Sequence, residues 1–454
     1  MVVGPICEIT IKTMVVKNSS KFKVEQLYIR NAFKDFPELA NEFLRAMELS
    51  NDGLVTGSAN LSNYYVLTPN PQTKKKPFSY QKEIINNVIK HYNLKESASL
   101  MISLPTGAGK TRTAVWIIEK LITDYGVKRF LWLAPTIELV SQSVETFLND
   151  WNVSDIETRI LVNNFLSKAS VKNPIICISS FQYAMKNELR SQLFSPEIII
   201  IDEAHQASAS AYSDFLKNHS LKSNSYLLGL TATPGRTNEK DQASLAAIFG
   251  NNLLVPKILG SNPIEFLRKI GVYSNIEWHK INLQGDSAHL IVRSRSSRSL
   301  KIDELNSNSK RFWATIDTIK ENADSQLLVF ASSIAHCHAL EVALRSRGVL
   351  SEIVSYKTDS STRSELISKF KRGVIKVLMN VAILNTGFDY PKLEQVLIAT
   401  PIRSSIIWEQ IIGRIARGKS VGGTEVAKVF EIDDHQAMHG DLMSYSRYFG
   451  NSWN

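Results

Sequence analysis

The sequence has few cysteines and no long hydrophobic run. Its three cysteines, Cys7, Cys177 and Cys337, are far apart in 454 residues. They therefore indicate neither a disulfide framework nor a zinc site, and we expect reduced structural thiols. No apolar run is long enough to cross a bilayer, and residues 1–5 lack the basic and apolar regions of a signal peptide. These absences predict a cytoplasmic protein that does not use a membrane as a partner.

The composition is that of a folded protein with a basic surface. Hydrophobic residues make up 44% of the chain and charged residues 21%, which excludes a disordered chain, and the length is sufficient for two or three domains. The 53 lysines and arginines exceed the 43 acidic residues, so the net charge is +10. This charge favours polyanions, nucleic acid first, although a solvated basic surface without a partner would look the same.

Short apolar runs alternate with amphipathic stretches in two halves of the chain. The runs lie at 98–103, 129–134, 175–179, 198–201 and 226–230 in the first half, and at 326–331, 349–354, 376–379, 395–398 and 428–432 in the second. Near-continuous apolar strands between helices indicate parallel sheets covered on both faces, and therefore an α/β fold. The predicted divisions are a small accessory α+β domain at 1–70, an α/β domain at 71–255, a connector at 256–309 and a second α/β domain at 310–454.

A phosphate-binding loop follows the first apolar run. The segment Thr106, Gly107, Ala108, Gly109, Lys110 and Thr111 stands between a predicted strand and a predicted helix. Small residues let backbone N–H groups surround phosphate oxygens at the positive end of the helix. Lys110 would reach the β- and γ-phosphates of a nucleotide, and the Thr111 hydroxyl would bind Mg²⁺. Leu104 occupies the position of the usual first glycine of such a loop.

Two acidic residues follow the apolar run 198–201. Asp202 and Glu203 would lie at the carboxyl edge of a parallel sheet, where ligands of such sheets bind. The carboxylate of Asp202 suits Mg²⁺, and that of Glu203 suits the activation of a water molecule. The sequence therefore predicts a site for Mg²⁺ and the attacking water beside the phosphate loop.

The order of these motifs and their residues resemble those of superfamily 2 helicases and translocases with a DEAH motif. The resemblance covers about residues 77–435. The motif sequences are most similar to those of the RadD-like and restriction-motor branch (type I/III restriction subunits). This resemblance implies two tandem RecA-like domains that use ATP and Mg²⁺. It also implies an adenine-reading element, in which Gln81 bonds the base and Phe78, at a place often held by arginine, stacks on it.

The resemblance assigns further residues to the two ligands. It implies that His205, Thr231 and Thr233 link the acids of the metal site to the nucleic-acid-binding face. Those implied to hold a nucleic-acid backbone are Thr136, Ser179, Gln182, Ser332 and Thr386. Those implied to reach the nucleotide from the second domain are Gly387, Asp389, Gln410, Arg414 and Arg417. The spacing of Arg414 and Arg417 predicts that both project from one helical face, as arginine fingers for the γ-phosphate.

The function implied is an ATP-dependent DNA helicase or double-strand DNA translocase, in DNA repair or in defence against foreign DNA. A nuclease or another protein is an expected partner. One alternative is an ATP-gated nucleic-acid clamp or sensor that recruits a nuclease. Another is an RNA helicase, because contacts to a backbone do not reveal whether a 2′-hydroxyl is read. Residues 52–62 resemble the tail of a phospholipase D-like nuclease signature but lack its upstream His-x-Lys pair, so a turn-rich loop is expected there.

Overall fold

Two sheets, each in its own unit of the chain, dominate the computed structural model; one is parallel throughout and the other is parallel except for one edge strand. The structure describes residues 64–69, 75–94, 99–165, 172–187, 194–208, 215–216, 225–235, 239–281, 309–381, 384, 388, 390–400, 402, 405–432 and 453. Almost all of the predicted accessory domain at 1–70 lies outside these ranges, including the nuclease-like segment 52–62. The structure therefore does not test the accessory domain or the turn-rich loop predicted for that part of the chain.

The first unit contains an eight-stranded sheet with the order β1-β4-β5-β3-β6-β7-β2-β8. Its strands are β1 (Tyr64–Leu67), β2 (Ser99–Ser103), β3 (Arg129–Ala134), β4 (Thr158–Val162), β5 (Ile175–Ser180), β6 (Ile198–Ile201), β7 (Tyr226–Thr231) and β8 (Leu253–Leu254). All neighbouring strands are parallel except β1 and β4. The four isoleucines of β6 are fully buried, as expected for a strand covered on both faces.

The helices of this unit follow the strands. They are α1 (Ser79–Leu94), α2 (Lys110–Tyr125), α3 (Ile137–Asp150), α4 (Phe181–Lys186), α5 (Glu239–Ile248) and α6 (Pro263–Lys269). Both ends of α2 are set by glycines in the left-handed region, Gly109 with φ 83° and Gly126 with φ 66°. Between these glycines the helix buries a face that includes Val115, Ile118 and Leu121. This packing fixes the direction in which α2 leaves the sheet.

The second unit contains a six-stranded parallel sheet with the order β11-β12-β10-β13-β14-β9. Its strands are β9 (Asn275–Ile281), β10 (Leu327–Phe330), β11 (Ser351–Val354), β12 (Val377–Asn380), β13 (Gln395–Ile398) and β14 (Val426–Ile432). Its helices are α7 (Ser309–Asn322), α8 (Ile334–Arg345), α9 (Ser360–Lys371) and α10 (Ser405–Ile415). The core lies between the sheet and α7 and α8, where Leu327, Val329, Leu340 and Leu344 are fully buried.

The two predicted parallel-sheet domains are confirmed, and the strands that the sequence missed lie mostly at sheet edges. They are β1, β4, β8 and β9, and β9 alternates polar and apolar residues on a largely exposed edge. Part of the predicted connector is ordered, since α6 belongs to the first unit and β9 to the second sheet, whereas residues 282–308 lie outside the described ranges. Within the described ranges, no helix is both long enough and apolar enough to span a bilayer.

Two of the three cysteines are internal. Cys177 in β5 and Cys337 in α8 are free and buried. Burial raises the pKa of both thiols, so that neither forms a thiolate readily. Their positions are those of small core side chains.

Candidate functional site

Leu104, which replaces the usual first glycine of a phosphate-binding loop, is part of the core. It directly follows β2, its side chain is fully buried, and its N–H donates to the Thr231 carbonyl at 3.1 Å. The residue therefore extends the sheet by one hydrogen bond toward β7. A leucine is accommodated here because the position faces the interior rather than the loop.

The loop after Leu104 turns tightly into α2. The Ala108 N–H donates to the Pro105 carbonyl at 3.0 Å, and Gly107 and Gly109 have φ values of 94° and 83°. Lys110 is then the first residue of α2. The backbone thus curves around the N-terminal end of a 16-residue helix, which is the arrangement that binds phosphate groups.

Side chains of α1 support this loop from behind. The Gln81 amide, 2% exposed, donates to the Ala108 carbonyl at 3.3 Å and to the Thr113 hydroxyl at 3.1 Å. The Tyr80 hydroxyl donates to the same carbonyl at 2.9 Å. The Phe78 ring lies parallel to the Tyr80 ring with centroids 5.9 Å apart. The structure therefore places Gln81 against the loop and Phe78 beside Tyr80, and the adenine contacts predicted for Gln81 and Phe78 remain predictions.

Thr106 is held by a residue that the sequence did not single out. The Tyr273 hydroxyl, which follows α6, donates to the Thr106 carbonyl. The Thr106 hydroxyl is buried and has no hydrogen-bond partner among the described residues. An unpaired hydroxyl at this position is costly unless a ligand bonds it, and a phosphate oxygen would do so.

Gly109→Ala is expected to weaken nucleotide binding. An added Cβ would lie 2.8 Å from the Gln81 amide nitrogen, and the φ of 83° is strained for any residue with a side chain. Left-handed strain costs on the order of 1–3 kcal/mol by itself. Gly126→Ala is the matched control, because it has φ 66° at the other end of α2 and open space around it. Thermal unfolding should show a lower melting temperature for both variants, whereas calorimetric titration should show weaker ATP binding only for Gly109→Ala. Equal ATP affinity in the two variants would contradict the role given to this turn.

Asp202 is a buried carboxylate at the end of β6. It is 4% exposed, and its N–H donates to the Leu133 carbonyl while its side chain accepts from the Glu203 N–H at 2.9 Å. Burial and the charge of Glu203 raise the pKa of Asp202 to about 7, although the charge of Lys110 acts in the opposite direction. The nearby Lys110 charge therefore compensates Asp202 only in part. A divalent cation would complete the compensation, and Mg²⁺ sites commonly use one or two protein oxygens together with phosphate oxygens. Asp202 and Thr111 fit that need.

The predicted coupling residues form a continuous chain of contacts behind the acids. The His205 Nδ1 atom lies 3.2 Å from a Glu203 carboxylate oxygen and 3.2 Å from the Thr231 hydroxyl. That hydroxyl accepts from the Thr233 N–H at 3.0 Å. Glu203 itself has φ 47°, a conformation that is uncommon without glycine and often marks functional sites. These contacts connect the Glu203 carboxylate to the loop after β7, and the coupling role predicted for His205, Thr231 and Thr233 remains a prediction.

The carboxyl ends of the neighbouring strands β2, β7 and β6 bring these pieces together. The sheet register pairs Ser103 with Thr231, and Ile201 with Gly229. The phosphate loop, the Thr231 loop and the acidic turn therefore leave the sheet at one edge. The sequence predicted this meeting from parallel topology, and the register confirms the shared edge.

The loops after β3 and β5 lie at the same edge and differ in accessibility. Thr136 caps α3 by accepting from the Leu139 N–H at 3.4 Å, and Gln182 in α4 is exposed. Ser179 is fully buried, and its hydroxyl donates to the side chain of Asn163 at 3.0 Å. Asn163 is a residue that the sequence did not single out. The backbone contacts predicted for Thr136, Ser179 and Gln182 remain predictions.

In the second unit, Ser332 is positioned by a buried histidine. The Ser332 hydroxyl lies 2.9 Å from the His336 Nδ1 atom, which also accepts from the Ser332 N–H at 3.3 Å. Burial, together with the charge of Arg311, lowers the pKa of His336 to about 3. The ring is therefore neutral at ordinary pH, which leaves Nδ1 able to accept. The predicted site residues Thr386, Gly387 and Asp389 lie outside the described residues.

The expectation that Arg414 and Arg417 share one helical face is wrong. Helix α10 contains the buried Gln410 and the partly exposed Arg414 in its last turn but ends at Ile415. The carbonyl of Arg417 accepts instead from the Ser274 hydroxyl at 2.7 Å and from the Thr424 N–H at 2.9 Å. The chain has left the helical path at that point, because these tertiary bonds replace the next helical turn.

A glycine allows this turn after α10. A Cβ added to Gly423 would lie 1.9 Å from the Arg417 carbonyl oxygen, so only glycine fits against that backbone. Arg417 is thus fixed by a loop contact, whereas Gln410 and Arg414 are fixed by the helix. The roles predicted for all three side chains remain predictions.

Two family models match the two units of the chain. The model described as the res subunit of type III restriction enzymes matches residues 74–236, and the model described as the helicase conserved C-terminal domain matches residues 310–419. These ranges contain the phosphate loop, the acidic turn and α10.

Individual proteins and a solved structure are similar over most of the chain. The putative ATP-dependent helicase IRC3 of Saccharomyces cerevisiae is 24% identical over 69% of this chain and 45% of its own length. The DNA 3′-5′ translocase XPB2 of Sulfurisphaera tokodaii is 25% identical over 72% of this chain and 76% of its own length. A fragment of a putative HsdR subunit of a type I restriction enzyme from Vibrio vulnificus YJ016 shares the fold, with a TM-score of 0.56 and 19% identity over 80% of this chain and 66% of its own. This chain spans about half the length of the yeast relative. Both units have the RecA-like architecture, and the two matched domains are those of superfamily 2 helicases and restriction-enzyme motors.

Proposed function

We propose that this chain is an ATP-dependent DNA motor, a helicase or double-strand translocase that couples ATP hydrolysis to movement along DNA. The observation that carries the proposal is the arrangement of Asp202 and Glu203. The buried carboxylate of Asp202 lies near Lys110, and Glu203 is connected through His205 to the loop after β7. Such an arrangement links a nucleotide phosphate to a second loop at the same sheet edge, and a motor requires a link of this kind between its nucleotide and the rest of its structure.

The residues have distinct tasks in the proposed reaction. The loop at Thr106–Lys110 binds the phosphates, and Lys110 neutralises charge on the β- and γ-phosphates. Mg²⁺, held by Thr111 and Asp202, supplies electrostatic stabilisation of the transferring phosphoryl group when it is bound. Glu203, in the DEAH element of residues 202–205, orients the attacking water and accepts its proton.

The second unit is proposed to complete the reaction and the grip on DNA. Arg414 and Arg417, with Gln410, stabilise the negative charge that develops on the γ-phosphate. Gly387 and Asp389 contact the nucleotide. Thr136, Ser179, Gln182, Ser332 and Thr386 act on the sugar-phosphate backbone, which gives affinity without sequence preference. The name of the DNA translocase relative supports DNA as the substrate.

The proposed partners and compartment follow from the same likenesses. The res-subunit model that matches residues 74–236 supports work beside a nuclease or another protein. A cytoplasmic location is proposed on the sequence expectation alone. Repair and defence against foreign DNA are both roles in which such a motor would operate.

A triplex-displacement assay tests the proposed movement. With ATP, the protein should strip a third strand from duplex DNA, and a non-hydrolysable ATP analogue should not support this reaction. ATP hydrolysis that DNA stimulates, without displacement of a third strand and without unwinding of a fork, would show a clamp rather than a motor. Stronger stimulation by RNA than by DNA of equal length would overturn the choice of DNA.

A further inference from the structure

The turn that follows β11 carries an exposed tyrosine. Tyr356 is 60% exposed, the largest exposed fraction of any tyrosine, phenylalanine or tryptophan in the described ranges. The next most exposed, Tyr64 and Tyr125, reach 46% and 38%, and the Tyr125 hydroxyl accepts from Asn93. An aromatic ring held in solvent is available to stack on a planar ligand such as a nucleobase.

The backbone beneath Tyr356 is fixed by four hydrogen bonds. The Ser355 N–H donates to the Thr358 hydroxyl at 3.0 Å, and the Thr358 N–H donates back to the Ser355 carbonyl at 3.0 Å. The Lys357 N–H donates to the Ser355 hydroxyl at 3.2 Å, and the Arg363 guanidinium donates to the Thr358 carbonyl at 2.8 Å. Because the turn is ordered in advance, a ligand that contacts the ring does not have to order the chain.

The turn lies at the carboxyl edge of the second sheet. Val354 at the end of β11 is paired with Asn380 of β12, which is paired in turn with Phe330 of β10. Tyr356 and Ser332 each stand two residues beyond their own strand. Adjacent strands lie about 4.8 Å apart, so the two loops are on the order of 10 Å apart along this edge.

Charges of both signs lie around Tyr356. Lys357 is adjacent, but Asp359 is in the same turn and caps α9 by accepting from the Thr362 N–H at 2.9 Å. Hydrogen bonds from Ser361 and Thr362 hold the pKa of Asp359 well below its usual range, so its charge persists. Lys357 and Arg363, whose guanidinium bonds the Thr358 carbonyl, attract the phosphates of a nucleic-acid strand to this turn, and the exposed ring of Tyr356 offers its face to a base.

We propose that Tyr356 stacks on an unpaired base of the DNA strand that lies along the carboxyl edge of the second sheet. This assignment rests on the proposed function, because it takes Ser332 as a contact for the same strand. Stacking is independent of base identity, and it suits a motor that must accept every sequence. It requires an unpaired base, so the assignment applies to the helicase branch of the proposed function and not to movement along an intact duplex.

Equilibrium binding of a fluorescent single-stranded oligonucleotide to the full chain tests the assignment. Tyr356→Ala should bind about tenfold more weakly than the wild-type protein, the loss expected for one stacked base. Tyr356→Phe should bind like the wild type, since the ring remains. Leu350→Ala is the matched control, because Leu350 is 78% exposed at the amino end of β11, the opposite edge of the sheet. An abasic spacer at the contacted position should weaken oligonucleotide binding by the wild-type protein and leave binding by Tyr356→Ala unchanged.

The other results separate this assignment from the proposed function. If the wild type binds DNA and Tyr356→Ala binds equally well, the stacking contact is overturned while the motor stands. An equal loss on blunt duplex DNA would indicate a backbone contact and would also overturn stacking. If the wild type binds neither DNA form, both the assignment and the proposed function fall.

Discussion

Glu203→Gln should reduce ATP turnover by about 10²–10⁴-fold, the contribution typical of a general base. The amide has the shape of the carboxylate and remains beside His205, so ATP binding and folding should persist. Single-turnover hydrolysis and calorimetric titration with ATP measure the two properties separately. A variant that binds ATP but does not hydrolyse it would also retain DNA in its ATP-bound state.

Glu119→Gln is the matched control for Glu203→Gln. Glu119 is, like Glu203, a partly buried glutamate of the first unit, and desolvation raises its pKa to about 7. Its carboxylate accepts from the Asn152 N–H at 2.5 Å, and it stands nine residues along α2 from Lys110, or about 14 Å at 1.5 Å per residue. Removing its charge should leave turnover unchanged. Equal losses in the two variants would show a general electrostatic effect and contradict the role of Glu203.

Arg414→Ala should reduce DNA-stimulated ATP turnover by about 10³-fold or more, the range found for arginine fingers. The first unit contains the phosphate loop, so the affinity for ATP should change much less than the rate. Steady-state kinetics that separate kcat from KM provide the measurement. Arg417 is held by a loop contact instead of the helix. Arg417→Ala therefore tests whether the second arginine contributes equally to the rate of ATP turnover.

Arg372→Ala is the control for Arg414→Ala. Arg372 is an arginine at the end of another helix of the second unit, α9, and bonds only weakly to the Ser368 carbonyl at 3.4 Å. Its removal should leave turnover unchanged. A normal kcat in Arg414→Ala would exclude this residue from the reaction.

The sequence predicted the parts of the site that depend on contiguous residues and on parallel topology. The phosphate loop and the acidic turn are short motifs, and their meeting follows from strands that all run one way. The burial of Leu104 was not predicted, because it depends on how the residue after β2 packs in the folded unit, where its N–H donates to the Thr231 carbonyl.

The supports of the site could not be predicted in the same way. Tyr80 and Tyr273 each donate a hydroxyl to a loop carbonyl, and such a bond leaves no pattern in the sequence. The end of α10 before Arg417 is set by a bond from Ser274, more than a hundred residues earlier. Gly418 was an available signal, since a glycine shortly after a helix often marks its end.

The most direct test of the account is the rate of ATP hydrolysis with and without DNA, measured on the wild type, Lys110→Ala and Lys120→Ala. Lys120 is the matched lysine, since it lies in the same helix, is 41% exposed and pairs with Asp124. DNA should stimulate the wild type and Lys120→Ala alike, and Lys110→Ala should lose about 10²-fold or more of the stimulated rate. A Lys110→Ala variant with wild-type turnover, or a wild-type rate that neither DNA nor RNA changes, would contradict an ATP-driven nucleic-acid motor.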